Sequence, residues 1–252
     1  MADEPLSTLA ARNLADWHEV SVEALGIASE RWPSAWVSDG HAPRMYFAAV
    51  LTARLSGSDQ ARLTRGIEHH FAATTSTIDV CDPFQQVDLV GAGFGLSRLD
   101  PWMVRHPGGG PPTPPPELEI VPVRDADTLL EFESTSAAGF EVPVRIPPFS
   151  LHAPAILNDP RMRLWIGRRA GRPVSVAMAY LGDAVTGVYG VATIPAARRH
   201  GYGEALAWAA TLAAPNTPAV LEASSMGVST YRRMGYEPLA EFAVWTRPPV
   251  FA

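Results

Sequence analysis

Beyond residue 117 the apolar positions fall into a regular order of strands and helices. Residues 118–123 alternate in and out as a strand would. Asp125 or Asp127 can then cap a helix whose apolar face carries Leu129, Leu130 and Phe132. Residues 139–160 are proline-rich and follow no period. Residues 163–168 and 173–181 read as two strands joined by a turn near Ala170 and Gly171. A third strand spans 185–193 and ends at a proline turn, and a helical run follows over 204–213. Residues 219–223 read as a short buried strand, a short helix runs to about Met234, and 239–247 form a last strand. The order β-α-(irregular)-β-β-β-α-β-α-β predicts an α/β (α+β) fold, a mixed, mostly antiparallel sheet flanked by helices.

Before residue 107 the periodicity is weaker. Leu14, Trp17, Val20 and Leu25 have helical spacing, as do Leu63, Ile67 and Phe71 within 59–72. Residues 45–51, 78–81 and 96–104 read as strands, and 85–90 as a short helix. Between the halves, residues 107–116 read Pro-Gly-Gly-Gly-Pro-Pro-Thr-Pro-Pro-Pro and suit neither a helix nor a central strand. They predict a linker between domains at 1–106 and 117–252, or alternatively a long surface loop within one domain.

At 252 residues the chain has room for one large or two small domains. A charged fraction of 18% fits a soluble globular protein, and a net charge of −6 argues against a general nucleic-acid binder. With Cys81 as the only cysteine, no intrachain disulfide and no cysteine metal cluster can form, which fits a cytoplasmic setting. The N-terminus has no signal-peptide pattern, and no run approaches the ~20 apolar residues of a membrane span.

The stretch from Val191 to Ala205 is the most informative. An apolar strand ends at Pro195, then Arg198, Gly201 and Gly203 follow in the spacing R-x-x-G-x-G and open a helix. A helix N-terminus offers unpaired N–H groups and the positive end of its dipole. Glycines admit a close approach to the backbone and arginines add charge, so the segment suits a phosphate or pyrophosphate. It resembles the acyl-CoA-binding motif of the GNAT acetyltransferase superfamily. Residues 222–236, E-A-S-S-M-G-V-S-T-Y-R-R-M-G-Y, resemble that family's second signature, a short tyrosine-bearing helix leading into a Gly-aromatic turn. The resemblance covers roughly 117–252.

The resemblance implies acetyl-CoA as cosubstrate, with no metal. It places Val191, Ala192 and Thr193 along the pantetheine arm, a backbone N–H near Val191 serving as oxyanion donor. It places Arg198, Arg199, His200, Gly201, Tyr202, Gly203, Glu204 and Ala205 around the pyrophosphate. Tyr231 occupies the position of the tyrosine that protonates the departing thiolate; a phenol titrating near ~10 is protonated at neutral pH. Seven positions earlier, Ser224 stands where many members carry asparagine. Family members often carry a glutamate on the strand before the phosphate loop, but residues 185–191 contain no acid. Glu222, Glu141 or a water chain is left as the general base. Acceptor choice is expected in 134–158, which holds Phe140, Phe149 and His152.

The N-terminal half repeats the order of a helix, a Gly-aromatic pair (Gly93, Phe94) and a closing strand. It reads either as a shortened, diverged GNAT-like copy, unable to hold CoA for want of R-x-x-G-x-G, or as an unrelated cap. His69 and His70 are adjacent and face different sides of a helix, so they make no metal pair. Gly91-Ala-Gly-Phe-Gly95 opens no helix, which removes a dinucleotide reading, and no G-x-S-x-G nucleophile elbow occurs.

These features predict an acetyl-CoA-dependent N-acetyltransferase, transferring directly in a ternary complex to an amine-bearing small molecule or peptide, as a monomer or homodimer. Nucleic acid and membrane are not expected partners. The alternative is a non-catalytic acyl-CoA sensor; a third reading is an interaction protein that has lost ligand binding.

Overall fold

Helix α1 (Leu6–Ala24) buries Ala10, Leu14, Trp17 and Ser21, positions four, three and four residues apart on one stripe. It opens a computed structural model that describes residues 4–40, 42–43, 45–142 and 146–249. The chain divides into two compact units, Met1–Trp102 with Leu239–Ala252, and Met103–Pro238.

In the first unit α1 leads into the antiparallel hairpin β1 (Ser29–Trp32) and β2 (Ala35–Ser38), which pairs with β3 (Ala49–Leu51). Helix α2 (Gly57–His70) carries the chain to β4 (Ile78–Asp82), parallel to β3. β5 (Gly95–Arg105) and the last strand of the chain, β11 (Glu237–Arg247), complete the order β1-β2-β3-β4-β11-β5. β11 registers antiparallel with β4 from Ala243↔Asp82 to Arg247↔Ile78, which puts the C-terminal strand in this unit.

Two local expectations need correction, and one hairpin was not expected; of the strand expected at 45–51 only Ala49–Leu51 forms. Residues 85–90 form no helix: the Asp82 carboxylate accepts the N–H groups of Phe84, Gln86 and Val87, and only a 3-10 turn, Val90–Ala92, follows. These bonds offer the backbone an alternative to helical pairing. The β1/β2 hairpin carries no strand signal, because Ser29-Glu30-Arg31-Trp32 does not alternate. What holds it is tertiary: Arg31 pairs with Asp16 and Glu19 of α1 at 2.5 and 2.6 Å.

The second unit runs β6 (Leu118–Pro122), α3 (Ala126–Gly139), β7 (Met162–Arg169), β8 (Arg172–Leu181), β9 (Thr186–Thr193), α4 (Tyr202–Thr211), β10 (Ala219–Glu222) and α5 (Val228–Arg233). Of the two candidate caps for α3, Asp125 serves, in a reciprocal capping box with Thr128. The β7/β8 turn places Ala170 and Gly171 at φ 49° and 74°. The order is β10-β9-β8-β7-β6, antiparallel except for the β9/β10 pair. Leu206, Ala207 and Ala210 of α4 are fully buried in a core with Ala177, Ala179 and Val188 of the sheet. Small residues let the helix lie close: a Cβ on Gly167 of β7 would meet Leu206 Cδ2 at 2.7 Å. Residues 107–116 form no helix or strand and lie within this unit. Both units therefore contain the order α-β-β-β-α-β with the last two strands parallel. Among the described residues no helix is long and apolar enough to cross a membrane.

Candidate functional site

β9 and β10 leave the sheet as a wedge. They register only at Ala219↔Thr186 and Val220↔Gly187, after which β9 continues to Thr193 without β10 beside it. A parallel pair that parts at its carboxyl ends opens the kind of crevice in which α/β sheets bind ligands.

A bulge on the other edge of β9 adds to this. The β8/β9 register passes from Val176↔Ala192 to Met178↔Tyr189, so Gly190 and Val191 together oppose Ala177. Gly190 takes φ 59°, and a Cβ there would lie 2.7 Å from Met178 Cε. The Val191 peptide thereby falls outside the regular ladder with β8. Sequence reasoning used Val191 but overlooked Gly190; an isolated glycine within an apolar strand was the available signal.

After β9 the chain turns through a 3-10 segment, Pro195–Ala197, with Arg199 at φ 66° and Gly201 at φ 79°. Gly201 is the N-cap of α4 and supplies no capping side chain, so the first-turn N–H groups stay directed at whatever lies ahead of the helix. A Cβ on Gly203 would lie 2.9 Å from Thr193 Oγ1, which keeps the helix start against the end of β9. Ser175 Oγ donates to Ala192 O and stands 2.8 Å from Thr193 Oγ1, fixing that end from the β8 side.

The two arginines of the loop differ. Arg198 is turned inward, donating to Thr193 O at 3.2 Å and Gly139 O at 2.9 Å and pairing with Glu141 at 2.7 Å. Arg199 is exposed and makes no ion pair among the described residues. His200 Nδ1 donates to Arg198 O, and its ring stacks on Tyr202 at 5.4 Å. Tyr202 is buried and donates to Glu117 Oε1 at 2.8 Å, so it is a strut of the loop. Glu204 pairs with Arg233 of α5 at 3.0 Å, and Ala205 is buried against the core.

Beyond β10, Ser224 caps the turn into α5: its Oγ accepts from Gly227 N at 3.3 Å and its carbonyl from Val228 N. Tyr231 is half-buried with its ring edge-on to Tyr236 at 5.7 Å, and burial pushes its phenol up to about 12. Its hydroxyl makes no hydrogen bond to another described residue. Glu222 is exposed at the end of β10, on the β10 side of the wedge.

Next to 134–158 the structure adds a residue the sequence did not single out. Glu133 of α3 is 1% exposed, and its carboxylate accepts the N–H groups of Phe149, Leu151 and His152 at 2.6, 2.6 and 3.1 Å. It fixes the course of residues 149–152, with Phe149 at φ 59°. His152 is wholly buried, its pKa pushed down to about 4, and so belongs to the core and not to an accessible surface. Phe140 is exposed. Among the described residues no three His, Cys, Asp or Glu side chains gather as a metal site.

The sequence model of the Acetyltransferase (GNAT) family matches residues 129–236. These residues form a GNAT acetyltransferase domain. The wedge, the bulge and the glycine-capped α4 all lie inside it. Among solved structures, a GCN5-related N-acetyltransferase from Kribbella flavida is similar over 96% of both chains, at 22% identity and TM-score 0.67. A GNAT-family protein from Novosphingobium aromaticivorans is similar over 96% of this chain and 99% of its own, at 16% identity and TM-score 0.61. A GCN5-related N-acetyltransferase from Sphaerobacter thermophilus is similar over 81% of this chain and 73% of its own, at 16% identity and TM-score 0.54. At these identities the likeness is one of fold. No curated protein matches the sequence.

Proposed function

We propose that the chain is an acetyl-CoA-dependent N-acetyltransferase that acts on a primary amine by direct transfer. The observation that carries this reading is the parting of β9 and β10 above a helix whose N-terminus is capped only by Gly201. The residues fit a pantetheine diphosphate: a stretch of β9 at Val191–Thr193 beyond its register with β10, then N–H groups with the α4 dipole behind them, and the exposed Arg199 beside them. The bound cosubstrate supplies an activated acetyl thioester. The Val191 N–H stabilises negative charge growing on the thioester oxygen. Tyr231, kept protonated by burial, donates its proton to the departing sulfur. Glu222, at the β10 side of the wedge, receives the amine proton directly or through water.

The first unit is a diverged copy that binds no CoA. Its corresponding loop, between β3 and α2, is filled by the chain itself: Gln86 accepts from Leu55 N and donates to Ala53 O, both at 2.8 Å.

Calorimetric titration with acetyl-CoA tests both points. One site per chain is expected, abolished by Gly201→Glu, with folding of the variant checked by its melting temperature. Two sites would overturn the reading of the first unit, and no binding would overturn the function.

A sensor without turnover is the second reading, favoured by the absence of any acid on β9 and by the use of Ser224 as a structural cap. Release of free thiol from acetyl-CoA with a panel of amines separates the two.

A further inference from the structure

The proline-rich segment does more than connect strands. It crosses α4 and is pinned at both ends within the second unit. At the start, the Arg105 guanidinium donates to the carbonyls of His106 and Gly108 and lies 4.7 Å from the centre of the Trp208 ring. At the far end, Leu118 N donates to Pro115 O, and Glu117 receives the Tyr202 hydroxyl. Between these ties, residues 111–115 stand off the helix and enclose a cavity of about 340 Å³ against its Gly201-to-Leu212 face. That volume is within the ~300–1,000 Å³ of small-molecule sites.

The wall has a definite chemistry. Four of its five strap residues are prolines, which lack an N–H, so the strap offers mainly carbonyl acceptors, with the N–H and hydroxyl of Thr113 as its donors. The floor is Ala205, Trp208 and Ala209, with Trp208 6% exposed and its indole N–H without a hydrogen-bond partner. Among the described residues that line it, Glu204 alone is charged, and it is already paired with Arg233. Such a cavity excludes a phosphate and suits a flat, uncharged ring with a donor edge.

Gly201 lines this cavity and also caps the helix start where the diphosphate would rest. A Cβ on Gly201 would come within 3.4 Å of Pro115 Cγ, so strap and phosphate loop are adjacent. We propose that the cavity between the proline strap and α4 holds the adenine ring of the acyl-CoA. This inference rests on the CoA reading above. The thioester end of the molecule runs into the β9/β10 wedge, so the group beyond the diphosphate is the nucleoside. The ring lies against Trp208 and Ala209, its exocyclic amino group directed to strap carbonyls, while the 3′-phosphate stays outside.

The test compares acetyl-CoA with S-acetyl-4′-phosphopantetheine, which lacks the nucleoside, by calorimetry on the full chain. The wild type is expected to bind acetyl-CoA at least about tenfold more tightly, equivalent to ~1.4 kcal/mol. Ala209→Phe, which fills the cavity from the helix side, is expected to bring the two affinities near parity and leave that of the shorter ligand unchanged. Equal affinities in the wild type would overturn the proposal without recourse to any variant. So would an Ala209→Phe variant of unaltered melting temperature that kept the preference or lost both ligands equally. Absence of binding by either ligand would instead remove the CoA reading on which the proposal rests.

Discussion

Arg198 donates through Nη2 to the carbonyl oxygen of Gly139 at 2.9 Å, tying the end of α3 to the loop that opens α4. The arginine of R-x-x-G-x-G thus acts here as a brace. Its other contacts, to Thr193 O and Glu141, fasten the end of β9 to the same point. Gly139 matches this closeness, since a Cβ there would lie 2.8 Å from Ala192 Cβ. Arg198→Ala is expected to lower unfolding free energy by ~1–3 kcal/mol, the range for losing charged hydrogen bonds and leaving their acceptors unmet. Arg198→Lys should recover only part, because an ammonium cannot reproduce the fork. Urea unfolding of the three proteins checks the order; an alanine variant as stable as the wild type would refute the brace.

The second unit was largely legible because its signals are local. Alternation marks β6, an apolar run marks β9, a choice of two aspartates, Asp125 or Asp127, marks the start of α3, and glycine-arginine spacing marks the start of α4. The first unit was less so, since Ser29–Trp32 is a strand only through its pairing with β2 and Arg31's bonds to α1. The site divides likewise. The loop residues and Tyr231 are visible as a motif, but the inward turn of Arg198, the Glu133 clasp and the strap over α4 depend on residues distant in sequence.

Two buried histidines, His18 in the first unit and His152 in the second, should make stability fall in mild acid. Burial pushes each down to about 4 from an ordinary 6.5. Between these values the unfolded chain binds protons that the folded chain refuses, so stability is complete above pH ~6.5 and declines toward ~4. The limiting slope is about 1.4 kcal/mol per pH unit for each histidine. His18 stacks on Phe47 at 5.3 Å, and its Nδ1 donates to Leu14 O. His18→Phe should therefore flatten the slope between about pH 6 and 4.5 in denaturant titrations followed by tryptophan emission. An unchanged slope would show that His18 is protonated in the folded state.

Glu133 should control the order of the stretch it holds. Glu133→Gln replaces one acceptor oxygen by a donor facing N–H groups, at a cost of ~1–3 kcal/mol or more for a charged acceptor. The local consequence is faster proteolysis within 147–152. If that stretch lines the acceptor side, KM for the amine should rise several-fold more than KM for acetyl-CoA. Proteolysis at the wild-type rate would sink the clasp.

Tyr231→Phe offers the sharpest separation of chemistry from binding. The ring packs beside Gly227, where a Cβ would lie 2.7 Å from Cε2, and edge-on to Tyr236; phenylalanine keeps both contacts. Only the hydroxyl is lost, and it makes no hydrogen bond within the described protein. The expected result is an acetyl-CoA dissociation constant within about twofold of wild type and a kcat lower by ~10²-fold or more, the usual scale for a general acid. Because burial raises the phenol to about 12, turnover should show no basic limb from Tyr231 near pH 10. A variant with wild-type kcat would take Tyr231 out of the mechanism and leave water to protonate the thiolate.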